Sequence, residues 1–75
     1  MDSKEFLENF KSQFIDADEI NLELESDFRD IDSWDSLTGM AIIVMIEDEY
    51  GKKIEDGEFK AAKTVKDLFE LVQAK

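Results

Sequence analysis

One short segment of the chain has the residue types and spacing that chemistry could use: Trp34-Asp35-Ser36-Leu37-Thr38. Ser36 follows a strongly acidic stretch and opens a long apolar run. A serine there predicts a helix N-cap, because its hydroxyl can accept a hydrogen bond from a free amide of the first turn. The position equally suits an exposed attachment hydroxyl, since a phosphate ester is stabilised at the positive end of a helix dipole.

Few other residues could take part in chemistry. The 75 residues include no cysteine and no histidine, which excludes Ser–His and Cys–His nucleophiles and histidine or thiolate metal sites. Paired carboxylates remain, but a domain this small can hardly shape a substrate cleft around them. The two acidic runs that begin like calcium loops carry Asn21 and Asp35 where the sixth position requires glycine. We therefore expect a protein that is not an enzyme and has no metal site.

The formal net charge of −11 is concentrated in front of Ser36. Residues 16–35 hold nine acidic residues and one basic residue, Arg29. Nucleic acid is excluded as a partner, because binding it requires basic groups that displace counterions. A partner with a basic surface would be attracted to this block. Solubility alone would also explain the charge.

Length and hydropathy give the cellular setting. No apolar run approaches the roughly 18 residues that a membrane span needs. Residues 1–5 lack the basic-then-apolar pattern of a signal peptide. We expect a cytoplasmic monomer with no membrane span, folded as one domain over residues 1–75.

The elements that must position Ser36 are predicted to be helices. Hydrophobic periodicity predicts an all-α fold, a small bundle of three main helices plus one short helix with a long first loop. The predicted main helices span residues 3–14, 36–50 and 65–74, and the short one lies within 55–62. Alternation over residues 20–25 is typical of a strand, but a single strand without a partner forms no stable sheet. We therefore predict an ordered loop over residues 15–35, held by apolar anchors at Ile20, Leu22, Phe28, Ile31 and Trp34.

The helix over residues 36–50 is apolar on most of its circumference. One face carries Gly39, Ile42, Ile43, Ile46 and Tyr50; the opposite face carries Leu37, Met40, Ala41, Val44 and Asp48, with Glu47 at its edge. Such a helix is normally buried on all sides, which is hard to arrange in a small domain. The alternative is one core face and one exposed contact face. The predicted core partners of the first face are Phe6, Phe10, Phe28, Ile54, Phe59, Val65, Leu68 and Phe69.

The order of these motifs resembles an acyl carrier protein over essentially the whole chain. Asp35-Ser36-Leu37 opens the second helix, Glu47-Asp48-Glu49-Tyr50-Gly51 ends it, and Thr64-Val65-Lys66-Asp67-Leu68 opens the last one. The resemblance implies a single carrier domain with 4′-phosphopantetheine attached to Ser36 and no catalytic residues of its own. It further implies a carrier that shuttles acyl groups as thioesters between enzymes.

The resemblance also assigns roles by position. In the family, the residue at the position of Asp35 helps the phosphopantetheinyl transferase recognise the site, and that at the position of Leu37 contacts partners. The implied docking surface faces acyl-transferring or synthase enzymes with basic surfaces. Its apolar centre is Leu37, Met40, Ala41 and Val44, and its acidic rim is Glu47 and Asp48. Many family members shelter an acyl chain between their helices, a property that the sequence leaves open.

Some positions depart from the usual pattern. Carriers of bacterial fatty-acid synthesis commonly have acidic residues at the positions of Thr38 and Ala41, and often glycine at that of Ser33. Trp34 is unusually bulky, and we interpret it as a loop anchor. The departures favour a specialised carrier, while fatty-acid and polyketide pathways stay open. The alternative function is an acidic helical protein-interaction module in which Ser36 is only an N-cap.

Overall fold

A computed structural model describes residues 2–75 and shows an all-helical fold. The helices are α1 (Ser3–Lys11), α2 (Ser36–Tyr50), α3 (Asp56–Ala61) and α4 (Val65–Ala74), and a single 3-10 turn, Phe28–Asp30, lies in the long loop. This confirms the predicted arrangement of three main helices and one short one. Over the residues described, no helix is long and apolar enough to cross a membrane.

Helices α2 and α4 begin and end where the sequence pattern predicts. At the start of α4, the hydroxyl of Thr64 accepts a hydrogen bond from the Asp67 amide, and the Asp67 carboxylate accepts one from the Thr64 amide, both at 3.1 Å. At the end of α2, Gly51 adopts a left-handed conformation with φ of 64°. A side chain would be strained there, so glycine ends the helix without cost.

Helix α1 ends earlier than predicted, at Lys11 instead of residue 14. The Asn9 carbonyl accepts hydrogen bonds from the Ser12 hydroxyl at 2.7 Å and from the Gln13 side-chain amide at 3.0 Å. These side chains compete with the backbone for the groups that would continue the helix. Phe14 therefore lies beyond α1, yet its side chain is buried as predicted.

The core lies between α1, α2 and α4, and phenylalanine rings fill much of it. Helix α1 packs against both α2 and α4. Phe6 and Phe69 contact each other edge to face, with ring centroids 5.4 Å apart. Phe69 is only half-buried, in contrast to the other predicted core residues. The side chains with no exposed surface are Phe6, Phe10, Phe28, Ile42, Ile46, Val65, Leu68 and Val72.

The long first loop is ordered by its apolar anchors. Leu22 and Phe28 are buried, and the remaining predicted anchors (Ile20, Ile31 and Trp34) are half-buried against the core. The Lys66 amide donates a hydrogen bond of 2.8 Å to the Leu24 carbonyl, which ties the loop to the start of α4. Residues 20–25 form no strand in this structure. The interpretation of residues 15–35 as an ordered loop is confirmed.

Candidate functional site

Asp35, and not Ser36, is the N-cap of α2. Asp35 has extended backbone angles, and its Oδ1 accepts hydrogen bonds from the Thr38 amide at 2.8 Å and the Thr38 hydroxyl at 3.0 Å. Ser36 is the first helical residue. The prediction that Ser36 caps the helix is therefore wrong. Aspartate and serine cap equally well, and here the carboxylate takes both donors of Thr38. The alternative function, an interaction module in which Ser36 is only an N-cap, is therefore not supported by this geometry.

Ser36 is exposed at the N-terminal end of a 15-residue helix. Since Asp35 satisfies the helix end, the Ser36 hydroxyl is not required for capping. The aligned peptide dipoles of α2 place a partial positive charge at this end, which favours an attached phosphate. The geometry thus keeps the second interpretation of Ser36, an exposed attachment hydroxyl.

The carboxylate beside Ser36 is held in its ionised form. Hydrogen bonds from the Thr38 amide, first, and from the Thr38 hydroxyl lower the pKa of Asp35 below its ordinary value of 3.8. A carboxylate that accepts such bonds is stabilised in its charged state. Asp35 therefore presents a fixed negative charge next to Ser36 at neutral pH.

We expect Asp35→Asn to be less stable than the wild type at neutral pH, with a deficit that disappears in acid. Because the folded pKa lies below 3.8, the ionised carboxylate stabilises the fold fully above that pH. This contribution is lost as the pH falls through the folded pKa. Asparagine also caps well but does not titrate, so it isolates the charge. Denaturant unfolding of both proteins from neutral pH to strong acid measures the difference. A stability deficit of Asp35→Asn that stayed constant into strong acid would contradict the assignment of Asp35 as an ionised cap.

Helix α2 has one buried and one exposed face, as the spacing predicts. The exposed fractions of Leu37, Met40 and Val44 are 73%, 63% and 55%. Ala41 is half-buried, and Glu47 and Asp48 are exposed. The buried face consists of Thr38, Gly39, Ile42, Met45 and Ile46. It is turned slightly from the predicted face, because Met45 and Thr38 are buried whereas Ile43 and Tyr50 are only half-buried.

Ser36 borders a groove between α2 and α3. The groove has a volume of about 310 Å³. Apolar side chains line most of it, and charged side chains lie at its edge. Its lining comprises Trp34, Ser36, Gly39, Met40, Ile43 and Phe59, with Arg29, Asp56 and Lys60. A group attached to the Ser36 hydroxyl would therefore have an apolar surface beside it.

Arg29 is a site residue that the sequence did not reveal. Its guanidinium donates hydrogen bonds to the carbonyls of Ala62, at 2.5 Å, and Phe59, at 2.8 Å. The same group lies 4.6 Å from the centroid of the Phe28 ring. A cation at the carboxyl end of a helix satisfies carbonyls that have no helical partner. Arg29 thus joins the long loop to the end of α3. The sequence indicates its importance only in that Arg29 is the single basic residue among residues 16–35.

A family model described as "Phosphopantetheine attachment site" matches residues 7–72. The chain belongs to this family. The carrier resembles a curated "Acyl carrier protein" from Phytoplasma mali (strain AT), with 28% identity over 67 residues that cover 89% of this chain and 80% of the relative. The predicted membership in the acyl carrier protein family is confirmed. So is the cofactor class, since the family model is that of covalent phosphopantetheine attachment.

The residues at the start of α2 fit such a group. Asp35, Ser36 and Leu37 are contiguous and exposed, and Met40 lies one turn farther at the edge of the groove. Glu47 lies eleven residues beyond Ser36, about 16 Å along the helix axis at 1.5 Å per residue. Ser36 and the acidic pair Glu47 and Asp48 therefore lie at opposite ends of α2.

Proposed function

We propose that this chain is an acyl carrier protein that bears its phosphopantetheine arm on Ser36 and passes acyl thioesters between partner enzymes. One observation supports Ser36 above any other residue. It is an exposed hydroxyl at the first position of α2, directly after the capping carboxylate of Asp35, within the matched residues 7–72. The carrier supplies no catalytic residue and forms a single domain over residues 1–75.

The chemistry divides between the chain and its cofactor. Ser36 Oγ would attack the phosphate of coenzyme A that bears pantetheine, forming a phosphodiester. The bond from that phosphate to the nucleotide breaks, and the hydroxyl proton passes to a base of the transferase. The ionised Asp35 would mark the site for the transferase. Because the chain has no cysteine, the thiol that carries acyl groups belongs to the cofactor. Tethering then raises the effective concentration of the acyl group at a docked enzyme.

Loading in vitro tests this proposal. The purified chain is incubated with coenzyme A and a promiscuous phosphopantetheinyl transferase, and intact mass is followed. We expect a gain of one arm, which peptide mapping places on the fragment that contains Ser36. Three other serines serve as internal controls, because peptide mapping distinguishes modification at Ser12, Ser26 or Ser33 from modification at Ser36. No gain with transferases of two different classes, or a gain mapped to another serine, would contradict the proposal.

The exposed face of α2 is the docking surface that we propose for the transferase and for the acyl-transferring or synthase enzymes. Leu37, Met40 and Val44 form its apolar centre, with Ala41 between them. Glu47 and Asp48 form its acidic rim, which suits a basic surface on the partner. Electrostatic matching of this kind speeds encounter more than it tightens binding, as a shuttle between enzymes requires.

Leu37→Ser should reduce kcat/KM for loading about tenfold, because burial of a leucine side chain contributes roughly 1.5–3 kcal/mol and about 1.4 kcal/mol is a factor of ten. Stability should change little, because 73% of the Leu37 side chain is already exposed. The rate of mass gain under limiting transferase measures the effect. Ile15→Ser is the matched control, since Ile15 is 94% exposed but lies outside α2. Equal losses in both variants would contradict a docking surface on α2.

The pathway is a finer proposal. Thr38 and Ala41 are uncharged, so the half of α2 next to Ser36 lacks acidic side chains. This supports a specialised carrier with dedicated partners over service in standard fatty-acid synthesis. The mass of the acyl group on protein purified from its source would separate fatty-acyl, polyketide and other cargo. A saturated fatty-acyl adduct would contradict the specialised role.

A further inference from the structure

The groove beside Ser36 has a floor of two aromatic rings, Trp34 and Phe59, and Phe28 packs against both. Phe28 and Trp34 have centroids 5.2 Å apart, and Trp34 stacks on Phe59 at 6.1 Å with an interplanar angle of 23°. Phe14 also packs against Trp34, at 6.1 Å. Phe14, Phe28 and Phe59 are buried in the core, so Trp34 is the half-buried ring that lies between the groove and these core residues.

The surroundings of Gly39 show how closely the rings of Trp34 and Phe59 pack against α2. Gly39 lies about one turn after Ser36, on the buried face of α2. A Cβ atom added there would lie 3.2 and 3.3 Å from two atoms of the Trp34 ring and 3.4 Å from Phe59. The first two distances are shorter than an ordinary carbon–carbon contact. A methylene chain entering between Gly39 and these rings would therefore have to displace Trp34.

Arg29 resists the opening of this floor. If α3 moved away from the loop that carries Phe28 and Trp34, the space below the groove would widen. That movement would break both hydrogen bonds from the Arg29 guanidinium to the carbonyls of Phe59 and Ala62. It would also remove the guanidinium from the faces of Phe28, Phe59 and Trp34, which lie 4.6, 5.3 and 5.8 Å from it. Charge-assisted hydrogen bonds and cation–π contacts are among the stronger polar interactions.

We infer that Trp34, held by Arg29, restricts access from the groove to the core, so that short acyl groups are the class of cargo that this carrier can shelter. A long alkyl chain stays outside the core of the free carrier. The inference rests on the proposed attachment at Ser36 and names the class of cargo. A long chain left in water gains none of the stabilisation that burial of each methylene gives. Short acyl groups carry little such penalty, so a core without access from the groove favours them.

A series of loaded cargoes tests the inference. The wild-type chain is loaded from acetyl-, butyryl- and decanoyl-coenzyme A by a promiscuous transferase, each product is verified by intact mass, and its Tm is measured. A chain buried in the folded state alone would raise Tm, because it stabilises that state. We expect equal Tm values for the three forms and unshifted methyl NMR signals of Ile42 and Ile46. A decanoyl form that melted several degrees higher, with shifted Ile42 and Ile46 signals, would overturn the inference.

A variant pair assigns the restriction to Trp34. In Trp34→Leu, the decanoyl form should melt several degrees above the acetyl form of the same variant. Phe69→Leu is the control, since Phe69 contacts Phe6 instead of the groove and its loss should give no dependence on chain length. If Trp34→Leu folds and shows no dependence, Trp34 is not the restricting residue. If Trp34→Leu does not fold, the wild-type series decides the inference.

The two proposals fail in different ways. Absence of any mass gain would contradict attachment at Ser36 and hence the proposed function. A complete mass gain followed by a decanoyl-dependent rise in Tm would leave the attachment intact and overturn only the restriction to short cargo.

Discussion

Ser36→Ala should abolish phosphopantetheine loading while leaving the fold as stable as the wild type. The side chain removed is the proposed nucleophile, so no mass gain is expected at any transferase concentration. Ser36 is exposed and the cap of α2 is Asp35, so the free energy of unfolding should change by no more than about 0.5 kcal/mol. Intact mass and denaturant unfolding on the same preparation measure both quantities.

The two measurements separate the interpretations of Ser36. If Ser36 were a cap and nothing more, alanine would cost about 1 kcal/mol and the wild type would not be loaded. Ser33→Ala is a suitable control for loading. It removes a nearby hydroxyl, whose hydrogen bond to Asp16 Oδ1 measures 2.6 Å, and should leave the mass gain unchanged. A loaded Ser36→Ala protein would mean that another hydroxyl is the acceptor.

Most of the fold could be predicted because its signals are local. The bounds of α2 and α4 follow from hydrophobic period, from the glycine after Tyr50 and from the Thr64–Asp67 capping pair. The exposed face of α2 follows from residue spacing once complete burial is judged impossible for so short a chain. The ordered loop follows from the lack of a partner for a strand. Each of these arguments requires only neighbouring residues or the total length.

The details of the site depended on contacts that spacing does not encode. Asp35 and Ser36 are adjacent and equally good caps, so only the backbone geometry identifies Asp35 as the cap. Arg29 looked like a single base among acids, whereas its partners are carbonyls of Phe59 and Ala62, about thirty residues away. The aromatic floor of the groove likewise arises where Trp34 of the loop meets Phe59 of α3. Contacts across such separations are determined by packing, which a single sequence does not display.

Phe28 is the anchor through which the long loop positions Ser36. Its side chain is fully buried, and its ring lies 5.2 Å from both Phe10 and Trp34. It therefore connects α1 to the segment that precedes Ser36. Because the loop has no regular ladder of hydrogen bonds, its position depends on a few buried side chains. Removal of this ring should affect both the core and the start of α2.

Phe28→Ala should lower the free energy of unfolding by about 3–5 kcal/mol, the typical cost of removing a buried phenyl ring. A 75-residue domain has in total about 4–11 kcal/mol, at roughly 0.05–0.15 kcal/mol per residue. A large fraction of the variant should therefore be unfolded at physiological temperature. Circular dichroism during denaturant titration measures the loss. Phe28→Leu keeps an apolar side chain at the same site and is expected to lose clearly less.

Loading of Phe28→Ala shows whether the anchor also positions the site. At low temperature, with a known folded fraction, the loading rate per folded molecule can be compared with that of the wild type. Because Phe28 packs against Trp34, two residues before Ser36, we expect this rate to fall as well. Val72→Ala, a truncation of a buried side chain in α4 that does not line the groove, provides a destabilised control whose loading per folded molecule should be normal. A normal loading rate per folded molecule in both variants would mean that Phe28 stabilises only the core. The position of Ser36 would then depend on the Asp35 cap instead.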